Sequence, residues 1–175
     1  MFFILKINEN IIPISTLFIG INGFIAFALS YIVALERTKI RVWHGESKKD
    51  VNLQVDYLEQ PNAWAAFFEK ITQKLVVTKT EDDGVLQRKV RAYGNFSEYV
   101  PLGLLFILAL ELMNSPTWLV WFLGTALTLA RISHAWGLIT TYGPSLARAF
   151  GFFITWLVYL IGASACVYYG VVFML

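Results

Sequence analysis

Six polar residues stand inside stretches that are otherwise apolar, and their spacing gives them a chemistry. Arg91, Asn95 and Glu98 are separated by steps of four and three residues, which puts all three on one face of an α-helix. Arg131 and His134 are again three residues apart, and Arg148 follows Pro144-Ser145, where Ser145 is a plausible N-cap. Arginines grip carboxylates in a two-pronged fork, a glutamate suits an ammonium, and an asparagine serves an amide of either polarity. A small zwitterionic peptide with carboxylates and one amine fits that inventory, and so do other anionic ligands. If the peptide carries a thiol, Arg148 has a defined task. A thiol with an ordinary pKa of about 8.5 is only a few per cent ionised at neutral pH. A neighbouring arginine and a helix N-terminus both favour the thiolate.

The elements that must position these residues are membrane helices. The chain has 175 residues, 57% of them hydrophobic and only 15% charged, against about 45–50% and 25% in soluble domains. That composition argues against a disordered chain, a nucleic-acid-binding domain or an ordinary soluble enzyme. One cysteine excludes a disulfide framework or a cysteine-built zinc site within the chain, and no metal constellation is visible. A span needs roughly 20 apolar residues. The expected spans are 11–35, 88–113, 116–139 and 146–174, in an all-α, up-and-down four-helix bundle. The first apolar run has only Lys6 before it and continues uncharged to Leu35, so it reads as a retained anchor rather than a cleaved leader.

Eleven of the 14 lysines and arginines lie between Arg37 and Arg91, and none lies in the turn around Asn114-Ser115-Pro116. The positive-inside rule therefore puts the long connection in the cytoplasm and both termini on the other side. In a prokaryote this would be the inner membrane. Up-and-down topology then brings Arg37 and Arg41, Arg88, Arg91 and Glu98, Arg131 and His134, and Arg148 toward the same cytoplasmic half. Choosing the spans did not force that convergence. Within the connection, 45–86, the residues Trp64, Phe67, Phe68, Ile71 and Leu75 recur at helical spacing after Pro61-Asn62. They predict an amphipathic helix over about 62–75, lying on headgroups or on the bundle. Asp82-Asp83-Gly84 reads as the turn into the second span.

Three segments resemble a known family. Arg91-Ala92-Tyr93-Gly94-Asn95-Phe96-Ser97-Glu98-Tyr99-Val100-Pro101-Leu102 is similar to the second-helix signature of the MAPEG proteins, the membrane-associated proteins of eicosanoid and glutathione metabolism. Ala130-Arg131-Ile132-Ser133-His134 and Pro144 through Phe153 look like that family's third and fourth helices. The compact form of the signature looks like the bacterial branch. The resemblance implies a homotrimer that binds glutathione between neighbouring subunits. Arg91, Asn95, Glu98, Tyr99, Arg131 and His134 would hold glutathione, with Arg37 or Arg41 assisting, and Arg148 would stabilise its thiolate. The implied chemistry is thiolate addition to a lipophilic electrophile, or reduction of a lipid hydroperoxide. Leu138 occupies a position that is tyrosine in some active members, and the family also includes a non-enzymatic lipid-binding member. A lipid-binding or scaffold trimer is accordingly the alternative. A small transporter is a third possibility, but the fourth helix, uncharged from Ala149 on, leaves no polar path across the membrane.

Overall fold

The computed structural model describes residues 12–46, 83–141 and 143–174, together with positions 63, 67, 70 and 74. The described residues form four long helices: α1 (Pro13–Ile40), α2 (Val85–Leu112), α3 (Thr117–Thr140) and α4 (Leu146–Val172). Most of the proposed loop helix over 62–75 lies outside the described residues. Of its positions, Ala63, Phe67, Lys70 and Lys74 are helical and exposed. Asp82 and Tyr142, from the two turns, also lie outside them.

Short connections at 113–116 and 141–145 force α2, α3 and α4 to run antiparallel in turn. α1 is antiparallel to α2, because Glu36 near its end meets Lys89 near the start of α2 at 2.8 Å, while its beginning meets Glu111 near α2's end. The bundle thus has a loop end, at the 41–84 connection and the α3–α4 turn, and a terminal end. Side chains and backbone together stop each helix. Pro13 opens α1 in the first turn, where its missing N–H is not needed. Arg41 closes α1 in the left-handed region at φ 59°. The Ser145 hydroxyl accepts from the Arg148 amide at 3.3 Å and caps α4.

α1, α2 and α4, at 27 or 28 residues, are long and apolar enough to cross a bilayer. The protein is an integral, multi-pass, all-α membrane protein. The sequence predicts four spans, whereas α3 falls outside this set of candidates. The reason is its polar content, and the fold puts that content inside: Thr128, Arg131 and His134 are all buried. α3 is 24 residues long, about 36 Å at 1.5 Å per residue, so its length suffices for a crossing. It packs against all three other helices.

Two larger apolar clusters fill the bundle, and a third, of Ile40, Val42 and Leu86, closes the loop end. At the terminal end Ile14, Phe18, Ile107, Leu110, Val120, Leu123, Leu127 and Val158 draw on every helix. Toward the loop end Leu29, Ala92, Phe96, Val100 and Ala135 come from α1, α2 and α3 alone. α4 is absent from that second cluster, and it instead faces α3 with Arg148, Gly151 and Thr155. Gly151 makes this close approach possible, because a Cβ there would collide with the Ala130 carbonyl oxygen and the His134 side chain. Small residues at such crossings let backbones pack where lipid gives no hydrophobic drive for association.

Candidate functional site

At the loop end α2, α3 and α4 leave a cleft of about 370 Å³ between them. Gly84, Gln87, Arg88 and Arg91 line it from the start of α2, Leu138 and Thr141 from the end of α3, and Arg148 from the start of α4. Three of these seven residues are arginines and none is acidic, so the cleft is built for an anion. Arg148 donates from Nη1 to the Gly143 carbonyl oxygen at 2.9 Å, which ties its guanidinium to the α3–α4 turn. Gly137 gives it room: a Cβ there would come within 2.7 Å of Arg148 Cγ and 2.8 Å of Ser145 Oγ. The Nδ1 of His134 lies 3.1 Å from the Arg148 carbonyl oxygen.

About three turns further along α3 and α4 from the loop end is a second polar group. Arg131 is only 2% exposed. Its Nη1 donates to Thr155 Oγ1 at 3.3 Å, its guanidinium carbon sits 5.1 Å from the centre of the Tyr99 ring, and its Nε and Nη2 are buried without a partner. Thr155 in turn donates to the Gly151 carbonyl at 2.6 Å. The Tyr159 hydroxyl donates to the Tyr99 carbonyl at 2.5 Å. A buried guanidinium stacked on an aromatic face is a favourable arrangement for Arg, but two orphaned donors in a bundle interior are costly unless something accepts from them.

The remaining residues singled out in the sequence are distributed as follows. Arg91 is exposed on α2 and its carbonyl accepts from Asn95 Nδ2 at 3.3 Å. Glu98 is exposed about 20 Å along α2, within electrostatic reach of Arg131 but making no ion pair among the described residues. Tyr99 is half-buried beside Arg131. Arg37 turns away from the cleft: its Nη1 donates to the carbonyls of Val42 at 3.3 Å and Gly45 at 2.7 Å, closing the end of α1. Arg41 is the cap residue of the same helix. Neither lines the cleft. The structure therefore brings Arg91, Arg148 and Arg88 together, brings Arg131, Tyr99 and His134 close behind them, and leaves Arg37 and Arg41 on the outer end of α1.

Several polar residues escaped the sequence reading. Thr155 and Tyr159 on α4 hold the Arg131–Tyr99 pair, and their seven- and eleven-residue steps from Arg148 put them on its face, which was a usable signal. Glu36 is 1% exposed and pairs with Lys89. Asn22 spans α1 and α3 by donating to Thr128 Oγ1 at 2.9 Å.

Comparison with known proteins agrees with this architecture. The model of the MAPEG family matches residues 15–168. The chain is 35% identical over 52 residues to "Inner membrane protein YecN" of Escherichia coli strain K12, and equally to that of Escherichia coli O6:H1. Each alignment covers 30% of this chain and 40% of the relative, so the chain aligns with well under half the length of either. No solved structure matches significantly.

Proposed function

The chain belongs to the MAPEG family, and from that premise we propose that it is a glutathione-dependent membrane enzyme that joins the glutathione thiolate to lipophilic electrophiles and reduces lipid hydroperoxides. The observation that carries this reading is the cleft itself: Arg88, Arg91 and Arg148 line it, and none of its described lining residues is acidic. Glutathione brings two carboxylates, one ammonium and a thiol. The arginines take the anionic groups, Asn95, Glu98, Tyr99, Arg131 and His134 serve the rest of the peptide, and Arg148 faces the sulfur. Arg37 and Arg41 act from a neighbouring subunit, since within one chain they stand outside the cleft.

In the reaction, the thiol loses its proton to water while the cation of Arg148 and the amino-terminal end of α4 stabilise the sulfur anion. The thiolate then forms an S–C bond to the electrophile, and the displaced group leaves or the adduct takes up a proton. With a hydroperoxide the thiolate attacks the outer oxygen, the O–O bond breaks and an alcohol departs. A second glutathione converts the resulting sulfenic acid to the disulfide and water. Holding the two reactants together and keeping the sulfur ionised supply the rate.

The protein works as a homotrimer. Arg91, Ser97 and Glu98 are exposed on α2, and a charge facing lipid costs about 2.5–3.5 kcal/mol on insertion scales, so a second copy covering that face relieves the cost. α3 crosses with the other three helices, and the basic connection lies in the cytoplasm with both termini opposite. The test is a glutathione titration of the purified protein in detergent, following ultraviolet thiolate absorbance near neutral pH. A saturable signal lost in Arg148→Ala is expected, and no signal in the wild type overturns the reading. Leu138 in the cleft wall favours one alternative, a lipid-binding or scaffold trimer without chemistry. Glutathione binding without thiolate, or none at all, would select it.

A further inference from the structure

Arg131 is the most enclosed cation among the described residues, and its hydrogen bonding is lopsided. Nη1 is used by Thr155, whereas Nε and Nη2 have no acceptor. Those two nitrogens are neighbours on one edge of the planar guanidinium, the edge that grips a carboxylate through two parallel hydrogen bonds. The edge that is held and the edge that is open are thus both defined. What defines them is α4. Thr155 is 1% exposed, donates to its own helix at Gly151, and so has its lone pairs turned toward Arg131. One turn on, Tyr159 donates to the Tyr99 carbonyl, and its ring lies 5.9 Å from the Tyr99 ring. Phe106 buttresses Tyr159 edge-on at 5.6 Å. The Tyr99 ring is the platform under the guanidinium.

We propose that Thr155 and Tyr159 are positioning residues. Thr155 fixes the rotation of the Arg131 guanidinium and Tyr159 fixes the Tyr99 platform beneath it, so that the Nε–Nη2 edge is presented to a ligand carboxylate already oriented. Where that carboxylate belongs to glutathione, the inference rests on the function proposed above. The step is one of preorganisation: a long side chain that is ordered before binding loses less freedom on binding. Neither hydroxyl touches the reacting sulfur, because Thr155 lies two helical turns deeper than Arg148.

The test has one arm that needs no ligand. In protein labelled with 15N-arginine, the Arg131 side-chain signals are assigned by their loss in Arg131→Lys. Guanidinium rotation slow enough to separate the two Nη signals is expected in the wild type, lost in Thr155→Val and regained in Thr155→Ser. Tyr159→Phe is expected to shift the Nε–H signal through movement of the Tyr99 ring. The second arm is glutathione affinity: Thr155→Val is expected to weaken it about tenfold or more, as for a hydrogen bond to a charged group. Thr155→Ser restores it, and Thr155→Val adds nothing further in an Arg131→Gln background. Unchanged Arg131 signals in Thr155→Val overturn the proposal, as does full affinity in a Thr155→Val protein whose Arg131 has become mobile. If the wild type binds no glutathione, the glutathione reading falls and the first arm still decides whether α4 orients Arg131. Should Thr155→Val not fold, Tyr159→Phe decides by the same two readouts.

Discussion

The imidazole of His134 and the main chain of Arg148 meet directly, with Nδ1 3.1 Å from the carbonyl oxygen. A carbonyl only accepts, so Nδ1 carries the proton and, in a neutral ring, Nε2 is left as an acceptor. This contact makes the position of Arg148 a property of α3 as much as of α4. His134→Leu is expected to weaken glutathione binding about fivefold, the worth of roughly 1 kcal/mol for one hydrogen bond. His134→Asn, whose amide can donate to the same carbonyl, is expected to retain most of it. Titration of both variants checks this, and equal losses in the two would rule the contact out as the cause.

Removing the Arg148 side chain tests the chemistry. Arg148→Ala is expected to abolish the thiolate signal and lower turnover about 10²- to 10³-fold, the range for losing one preorganised donor to a developing anion. Some glutathione binding should survive through Arg88 and Arg91. Arg148→Lys keeps the charge but not the fork and should fall between. Unchanged turnover in Arg148→Ala would refute the assigned role.

Glu98 separates catalysis from assembly. Under the enzymatic reading Glu98→Gln raises the glutathione Kd about tenfold while the oligomer persists, because the lost partner is an ammonium. Under the scaffold reading the same change dissociates the oligomer in mild detergent and affects no chemistry. Native mass spectrometry alongside the titration distinguishes the two outcomes.

The terminal end depends on a different acid. Glu111 is 9% exposed and accepts from the amides of Ile14 at 2.9 Å and Ser15 at 2.6 Å, so it caps α1 from α2. Pro13 has no N–H, so two of the three amides left unpaired at the start of α1 are satisfied there, next to the positive end of the helix dipole. Glu111→Leu is expected to lower stability by about 2–3 kcal/mol, since both amides become orphaned in a buried place. Glu111→Gln should cost about 1 kcal/mol, because one oxygen and the charge are lost. Thermal unfolding in detergent measures both, and glutathione affinity at the far end should be unaffected.

Gly151 is expected to tolerate no side chain. Gly151→Ala would set a methyl against the Ala130 backbone oxygen, which cannot rotate away, and α3 and α4 must separate. A loss of about 1–3 kcal/mol in stability follows, with a larger proportional loss of activity because Arg148, His134 and Thr155 all span that seam. A wild-type-like Gly151→Ala protein would contradict the close approach.

The arginine cluster was legible because helical periodicity turns spacing into a face, and up-and-down topology turns four faces into one end. Arg91, Arg131 and Arg148 stood out only because their surroundings are apolar. Glu111 and Glu36 were hidden by position: each lies near a helix end, where a charge is unremarkable. Their partners, a backbone amide 97 residues away and a lysine 53 residues away, leave no local pattern. Thr155 and Tyr159 passed as ordinary residues of a stretch uncharged after Arg148, since a hydroxyl in an apolar stretch is easily satisfied by its own backbone. Arg37 shows the opposite limit. Its place in the sequence suited the cleft of its own chain, but within one chain its Nη1 donates to the nearer carbonyls of Val42 and Gly45.

The polarity of α3 has a consequence for biogenesis. A helix carrying Arg131, His134 and several threonines partitions poorly from the translocon into lipid by itself, whereas α2 and α4 are apolar enough to do so. The turns before and after α3 are only a few residues long, so its neighbours are at hand as it emerges. Under the proposed four-span topology α3 enters the membrane as half of a hairpin with α4, with Thr155 already available to Arg131, and the contact proposed to orient the site first serves to bring the helix in.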